Sequence, residues 1–170
     1  MLLETPRLRL RRLSLDDAPF IVALLNSPGW LAFIGDRGVR TEEDARRYLN
    51  AGPLASYAQH DGLGLYHIAR RSDDCAVGMC GLLRREVLPD VDVGFALLPE
   101  HEGCGYASEA AAAVIEFGRA TFGLRRVAGI TMPANAGSIR VLEKLGLRFE
   151  REVVLPPKNE TLRYYARALD

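Results

Sequence analysis

Val91 to Glu109 reads VDVGFALLPEHEGCGYASE, and the rest of the chain is organised around it. An apolar run (Val91, Val93, Phe95, Leu97) has the alternation of a strand, and Pro99 ends it because proline cannot donate to a sheet ladder. Gly103 and Gly105 follow. The segment ASEAAAAVIEFGRATF then supplies strong helix formers, which predicts a helix over Tyr106 to Phe122. A glycine-rich turn between a strand and a helix leaves unpaired N–H groups at the positive end of the helix dipole, an arrangement that suits phosphate. The plain alternative is that the two glycines make a tight turn and nothing more.

Two other phosphate binders fail on position. A P-loop needs a lysine followed by Ser or Thr after its last glycine, and neither follows Gly105. A dinucleotide fingerprint needs a third glycine where Ser108 stands and an acidic residue about 20 positions on, a region holding Arg125 and Arg126.

Composition narrows the partners. At 170 residues the chain is the size of one domain, over 1–170. Its 22 basic and 22 acidic side chains cancel, so there is no electrostatic case for a nucleic-acid or membrane partner. No apolar run approaches the roughly 20 residues that span a bilayer. The opening MLLETPRLRLRR carries its positive charge after the apolar start, the reverse of a secretion signal. Cys75, Cys80 and Cys104 are an odd number without CxxC spacing, which argues against a disulfide framework or a zinc site and for a reducing cytoplasm.

Outward from the turn, the elements fall in a consistent order. RLRLRRL suggests a first strand, and Ser14 to Asp17 is a capping signal for a helix through about Leu25, stopped by Ser27-Pro28-Gly29. Gly29 to Arg40 reads as a loop with large apolar groups, Trp30, Leu31, Phe33 and Ile34, which either pack beneath it or wall a cavity. A second cap at Thr41 opens a helix that Gly52-Pro53 breaks, with further turns before Gln59. Leu63 to Arg71, Ala76 to Glu86 and the Val91 strand form an antiparallel meander. Arg125 to Met132 is a strand, Asn135 to Leu145 a helix capped by Gly146, and Leu147 to Leu155 and Leu162 to Leu169 the last strands. The order predicts a mixed α/β (α+β) domain.

A second motif lies at the next strand-to-helix junction. In Asn135-Ala-Gly-Ser138-Ile-Arg-Val-Leu-Glu-Lys-Leu-Gly146, Asn135 stands as N-cap. Ser138, Val141, Leu142 and Leu145 share one helical face, which should be buried, so the Ser138 hydroxyl needs a partner. That partner is either a ligand or a nearby backbone group such as the Asn135 carbonyl.

The string LPEHEGCGYASEA followed by NAGSIRVLEKLGLRFE and a late strand resembles the GNAT superfamily of acyl-CoA-dependent N-acetyltransferases. The segments ETPRLRLRRLSLDD and IGDRGVRTEEDARRYL are similar to its RimJ/RimL-type branch, named for acetylation of ribosomal-protein N-termini. The resemblance covers nearly the whole chain. It implies a mostly antiparallel sheet of six to seven strands, splayed in the middle and flanked by about four helices. It also implies acetyl-CoA as donor and an amine as acceptor, in a monomer or homodimer. The family's turn is (Gln/Arg)-x-x-Gly-x-(Gly/Ala); here Glu100 replaces the donor residue, so backbone must do most of the phosphate binding. Carried onto this chain, pantetheine pairs with the backbone of Phe95, Ala96 and Leu97 as an added strand would. The diphosphate rests on Glu102, Gly103, Cys104, Gly105, Tyr106 and Ala107, and Asn135 and Ser138 meet the pantetheine arm.

The expected chemistry is direct attack of a neutral amine on the thioester, since Cys104 lies inside the phosphate turn, Cys75 and Cys80 sit around a strand start, and none has a paired histidine nearby in sequence suited to activate it. An amide near Leu97 is the oxyanion donor, and Ser138 is the candidate donor to the leaving sulfur, with Tyr106, Tyr164 and Tyr165 as alternatives. Asp92, facing opposite to Val91 and Val93 and so into the cleft or into solvent, is the candidate water-bound base, and Glu86 its rival. His67 reads as structural, His101 as a surface turn residue, and Glu109 as a complement to the helix dipole. The acceptor pocket draws on Gly29 to Arg40 and Pro156 to Glu160, with Trp30 and Phe33 as an apolar wall and Asp36 as a group to hold an amine. Ordinary loop packing and surface charge are the competing readings for all three.

Overall fold

Alternating apolar positions in eight short segments pair into one sheet in the computed structural model, which describes residues 2–170. The strands are β1 (Leu3–Glu4), β2 (Leu8–Arg12), β3 (Leu65–Arg70), β4 (Ala76–Leu83), β5 (Asp92–Leu97), β6 (Arg126–Thr131), β7 (Arg148–Leu155) and β8 (Glu160–Ala168). They lie in the order β1-β2-β3-β4-β5-β6-β8-β7. Every neighbouring pair is antiparallel except β5 and β6. The sheet thus has eight strands where six to seven were expected. The extra one, β1, is a two-residue bridge to β2, too short to carry any periodicity.

The parallel junction decides the shape. β5 is laddered to β4 along its whole length, from Leu83↔Asp92 to Gly78↔Leu97, yet it meets β6 at one register pair, Asp92↔Ala128. The Ala128 amide donates to the Val91 carbonyl at 2.9 Å, and beyond that point the two strands part. The sheet is splayed in its middle, and Gly94 to Leu97, which would be covered in a closed sheet, are only half-buried.

Among the described residues six α-helices flank the sheet: α1 (Ala18–Leu25), α2 (Pro28–Phe33), α3 (Glu42–Leu49), α4 (Ala55–Gln59), α5 (Tyr106–Phe122) and α6 (Ala136–Lys144). A π turn over Asn50–Leu54 joins α3 to α4, so they make one continuous rod and the sheet carries five helical bodies, not about four. Gly52-Pro53, expected to break the helix, sits inside that π turn, whose i→i+5 bonding spares the proline a clash with the preceding turn. Likewise α2 occupies part of the segment expected to be loop. Ser27 is its N-cap and Pro28 its first residue, so the Ser-Pro that ends α1 also starts the next helix.

On one face α5 lays Ala110, Ala111, Val114 and Ile115 against Leu10, Ile68, Val77, Leu82 and Val93. Burial of Val114 and Ile115 contributes roughly 1.5–3 kcal/mol each. Small alanines let the helix axis come close, placing its N-terminus at the end of β5. α6 approaches β6 closely as well: a Cβ on Gly129 would lie 2.5 Å from Leu142 Cδ2. On the opposite face Ile21, Leu24, Trp30, Leu49 and Met79 form a second cluster under α1 to α3, and Leu88, Ala128, Tyr164 and Ala166 a third. No helix among the described residues is long and apolar enough to cross a membrane.

Candidate active site

The turn between β5 and α5 is built from backbone. Pro99–His101 is a single 3-10 turn, Gly103 and Gly105 follow with φ of +74° and +81°, and α5 begins at Tyr106. Those φ values lie in the left-handed region, which costs a side-chain-bearing residue strain that glycine avoids. Among the described residues, the amides of residues 103–108 make no bond to any turn, loop or cap carbonyl. Six consecutive free donors at the N-terminus of a 17-residue helix form an anion cradle. A Cβ on Gly103 would meet nothing within 4 Å, so the mouth of the turn is open. Glu102 and Cys104 are exposed at its rim, and Ala107 is half-buried in the first helical turn.

Beside the cradle runs the free edge of β5. In an antiparallel ladder the N–H and C=O of successive residues point alternately to the two neighbouring strands. The Leu98 amide donates to Val77, so the even-numbered residues bond β4, and Phe95 and Leu97 turn their N–H and C=O groups toward the gap. Ala96 pairs opposite Met79 and directs its own backbone groups to β4. Of the three residues expected to meet pantetheine through backbone, Phe95 and Leu97 have the free groups.

Across the gap stands the start of α6. Asn135 is the N-cap, its Oδ1 accepting from the Ser138 amide at 3.1 Å. The Asn135 carbonyl is taken by Ile139 N–H at 3.1 Å, and the Ser138 hydroxyl makes no hydrogen bond among the described residues. The face expected to be buried is so only at Leu142; Ser138, Val141 and Leu145 stay half-exposed, because the splayed sheet leaves that side of α6 uncovered.

The candidate acid and base residues diverge. Asp92 looks into neither open cleft nor solvent: it is 1% exposed, and its Oδ1 accepts from Arg85 Nε at 2.9 Å. Burial pushes its carboxyl pKa up, and the Arg85 guanidinium pulls against that. Glu86 is exposed in the loop after β4. Tyr164 donates to Asp90 Oδ2 at 2.5 Å, so its proton is already engaged, and burial, with Asp90 beside it, pushes its pKa up to about 12. Tyr165 is sealed in the core against Phe149. Tyr106 is buried beneath the Arg7 guanidinium, 4.6 Å from its ring centroid.

Three further readings change. His101 is not a surface residue; it is 6% exposed, and its Nε2 lies 3.7 Å from Cys75 Sγ. Cys75 therefore does have a histidine, brought from 26 positions away by the β4–β5 pairing, which linear inspection could not reveal. Trp30 is no pocket wall: it is buried, with Nε1 donating to the Gly35 carbonyl at 3.0 Å. Phe33 is exposed on α2. Asp36 is held by Arg40 Nη2 at 2.6 Å, and that pairing lowers its pKa. The two loops expected to frame the acceptor site do meet, since the Lys158 ammonium occupies the space beside Gly35. His67, 5% exposed against the edge of Phe20, is held neutral by burial, its pKa lowered to about 4.

Comparison with known proteins places this geometry. The family model for the acetyltransferase (GNAT) domain matches residues 7–148. The chain belongs to the GNAT acetyltransferases. The Bacillus subtilis N-acetyltransferase YnaD, itself uncharacterised, is 29% identical over 150 residues, covering 88% of this chain and 84% of that protein. Among solved structures, a GNAT-family acetyltransferase from Bacillus anthracis superposes with a TM-score of 0.81 at 26% identity, over 99% of this chain and 98% of that one. RimL, a ribosomal α-N-protein acetyltransferase solved with coenzyme A, shares the fold with a TM-score of 0.78 at 17% identity, over 99% of this chain and 98% of its own. This GNAT protein is an N-acetyltransferase, and its acetyl donor is acetyl-CoA.

Proposed function

We propose that the chain, acting as a single domain over 1–170, acetylates the α-amine of a protein or peptide N-terminus, as a member of the RimJ/RimL-type branch. The observation that carries the reading is the row of free amides at residues 103–108 opening onto the unpaired edge of Phe95 and Leu97. Glu102 to Ala107 would hold the diphosphate through backbone, and Phe95 and Leu97 would pair with the pantetheine arm, Ala96 adding its side chain. Asn135 fixes the start of α6, and the unbonded Ser138 hydroxyl would serve the sulfur end. Acetyl-CoA supplies the acyl group as a thioester.

The Leu97 amide donates to the carbonyl oxygen as negative charge builds there. Ser138 donates to the leaving sulfur. Asp92 would receive the amine proton through water once the Arg85 pair that closes over it opens, burial having raised its carboxyl pKa and made it the stronger base. An α-amine with pKa about 7.8 is roughly a tenth neutral at pH 7, against well under a thousandth for a lysine at about 10.4, so this modest machinery suffices for the former.

A protein terminus is favoured over a polyamine by the state of the carboxylate expected to hold an amine. Asp36 already holds Arg40, which leaves it poorly placed to receive a polycation. In the cytoplasm proposed for it, as monomer or homodimer, Cys75, Cys80 and Cys104 stay free thiols. Thiol release from acetyl-CoA should be measured over a panel of peptides, polyamines and aminoglycosides. Turnover confined to peptides with a free N-terminus is the expected result. Turnover confined to a polyamine or an aminoglycoside would replace the reading with a small-molecule acetyltransferase, and CoA binding without turnover of any amine would replace it with a non-catalytic module.

A further inference from the structure

The phosphate turn contains no cation of its own. From Pro99 to Glu109 the sequence carries three glutamates and neither lysine nor arginine. A dianionic diphosphate over that segment would face net negative charge, unless the fold brings a cation from elsewhere. It brings Arg7, the residue before β2. Arg7 Nε donates to Glu109 Oε2 at 2.6 Å and Nη1 donates to the Cys104 carbonyl at 2.9 Å, while the guanidinium stacks on Tyr106. The remaining carboxylate oxygen of Glu109 accepts from the Arg7 amide at 2.9 Å and from Thr5 Oγ1 at 2.6 Å. Glu109 thus does more than complement the helix dipole: it ties the N-terminal strand to the first turn of α5.

The bond to Cys104 has a directional consequence. A trans peptide is planar, with its C=O and the following N–H pointing opposite ways. Holding the Cys104 carbonyl against Arg7 therefore turns the Gly105 N–H away from Arg7, toward the mouth of the turn. A charged donor on that carbonyl also polarises the peptide unit and strengthens its N–H as a donor. Arg7 Nη2 lies 3.3 Å from the place a Cβ on Gly105 would take, so the guanidinium backs this peptide closely.

We propose that Arg7, anchored by Glu109, is a positioning residue for cofactor binding: it orients the Cys104–Gly105 peptide for a phosphate oxygen and offsets the Glu109 charge beside it. The proposal rests on the cradle being the CoA site, and it extends that site to a strand outside the turn.

The test is calorimetric CoA affinity for the full chain, its Arg7→Gln and Arg7→Lys variants, and Arg9→Gln as a control, since Arg9 pairs with Glu4 and Asp74 instead. Loss of a charge-assisted bond predicts CoA binding about 10-fold weaker in Arg7→Gln. At saturating acetyl-CoA its kcat should stay within about twofold, because an interaction lost equally from ground and transition states raises KM alone. Arg9→Gln should bind as the parent does. Arg7→Lys keeps the charge but lacks the fork that serves Glu109 and Cys104 together, so about a threefold loss is expected there. It also keeps the measurement possible should Arg7→Gln fail to fold. CoA affinity unchanged in folded Arg7→Lys and Arg7→Gln would overturn the positioning role alone. A parent chain that takes up no CoA would overturn the cradle reading itself, and the positioning role with it.

Discussion

The two sides of β5 are built from different materials. On the cofactor side the groups available to a ligand are main-chain amides: residues 103–108 in the turn, Phe95 and Leu97 along the strand edge. The residues proposed for the acceptor side are side chains, and the carboxylates among them are engaged: Asp92 with Arg85, Asp36 with Arg40. A backbone site is pre-organised by the fold and takes the same shape whatever approaches it. A side-chain site held shut by ion pairs must exchange partners when its substrate arrives. On the proposed reading, cofactor binding is a property of the fold, whereas acceptor choice belongs to a few replaceable residues.

The comparison breaks most readily at the turn. Gly105→Val forces a β-branched residue into a φ of +81° with its Cβ 3.3 Å from Arg7 Nη2. CoA affinity should fall roughly 100-fold or more by calorimetry, the equivalent of about 3 kcal/mol. Unchanged affinity would remove the turn from the site.

On the acceptor side, Asp92→Asn should lower kcat roughly 100-fold with CoA affinity intact. Activity should recover as pH rises past the α-amine pKa, because the amine then arrives already neutral. A flat response to both changes would take Asp92 out of the reaction.

The framework beneath both sides has its own pH signature. His67 is held neutral in the fold, with a pKa of about 4, below its ordinary 6.5. Between those values the unfolded chain binds a proton that the folded chain does not, so the stability is present above about 6.5 and is lost as pH falls toward 4. The loss is on the order of 3 kcal/mol, and His67→Phe should remove that slope from urea midpoints taken across the window.

Ser138→Ala should lower kcat about tenfold while leaving acetyl-CoA affinity within twofold. Equal turnover would show that the sulfur leaves unaided. The smallest effect is expected at Phe33→Ala, about a threefold rise in amine KM, because this exposed ring offers only part of its surface to a substrate. A large effect there would mean that the acceptor wall is better defined than its exposure implies.

The strand, the glycine turn, the α5 helix and the Asn135 cap were all legible in the chain because each is a local event, decided within ten or so neighbouring residues. Pro28 was legible as the end of α1 but not as the first residue of α2, and Pro53 misled because proline ordinarily breaks a helix, whereas here it sits in a π turn that differs from a break by only a turn's bonding. The burial of His101 and Trp30, the pairing of Cys75 with His101, and the salt bridge that closes over Asp92 had no local signal.

The sequence by itself determined where backbone amides would be bared, because φ preferences and hydrogen-bond periodicity act along the chain. Only the tertiary structure decided which charges would meet. Arg7 reaches Glu109 across 102 positions, and such a contact follows from how strands stack and helices cross the sheet, information that no stretch of neighbouring residues contains.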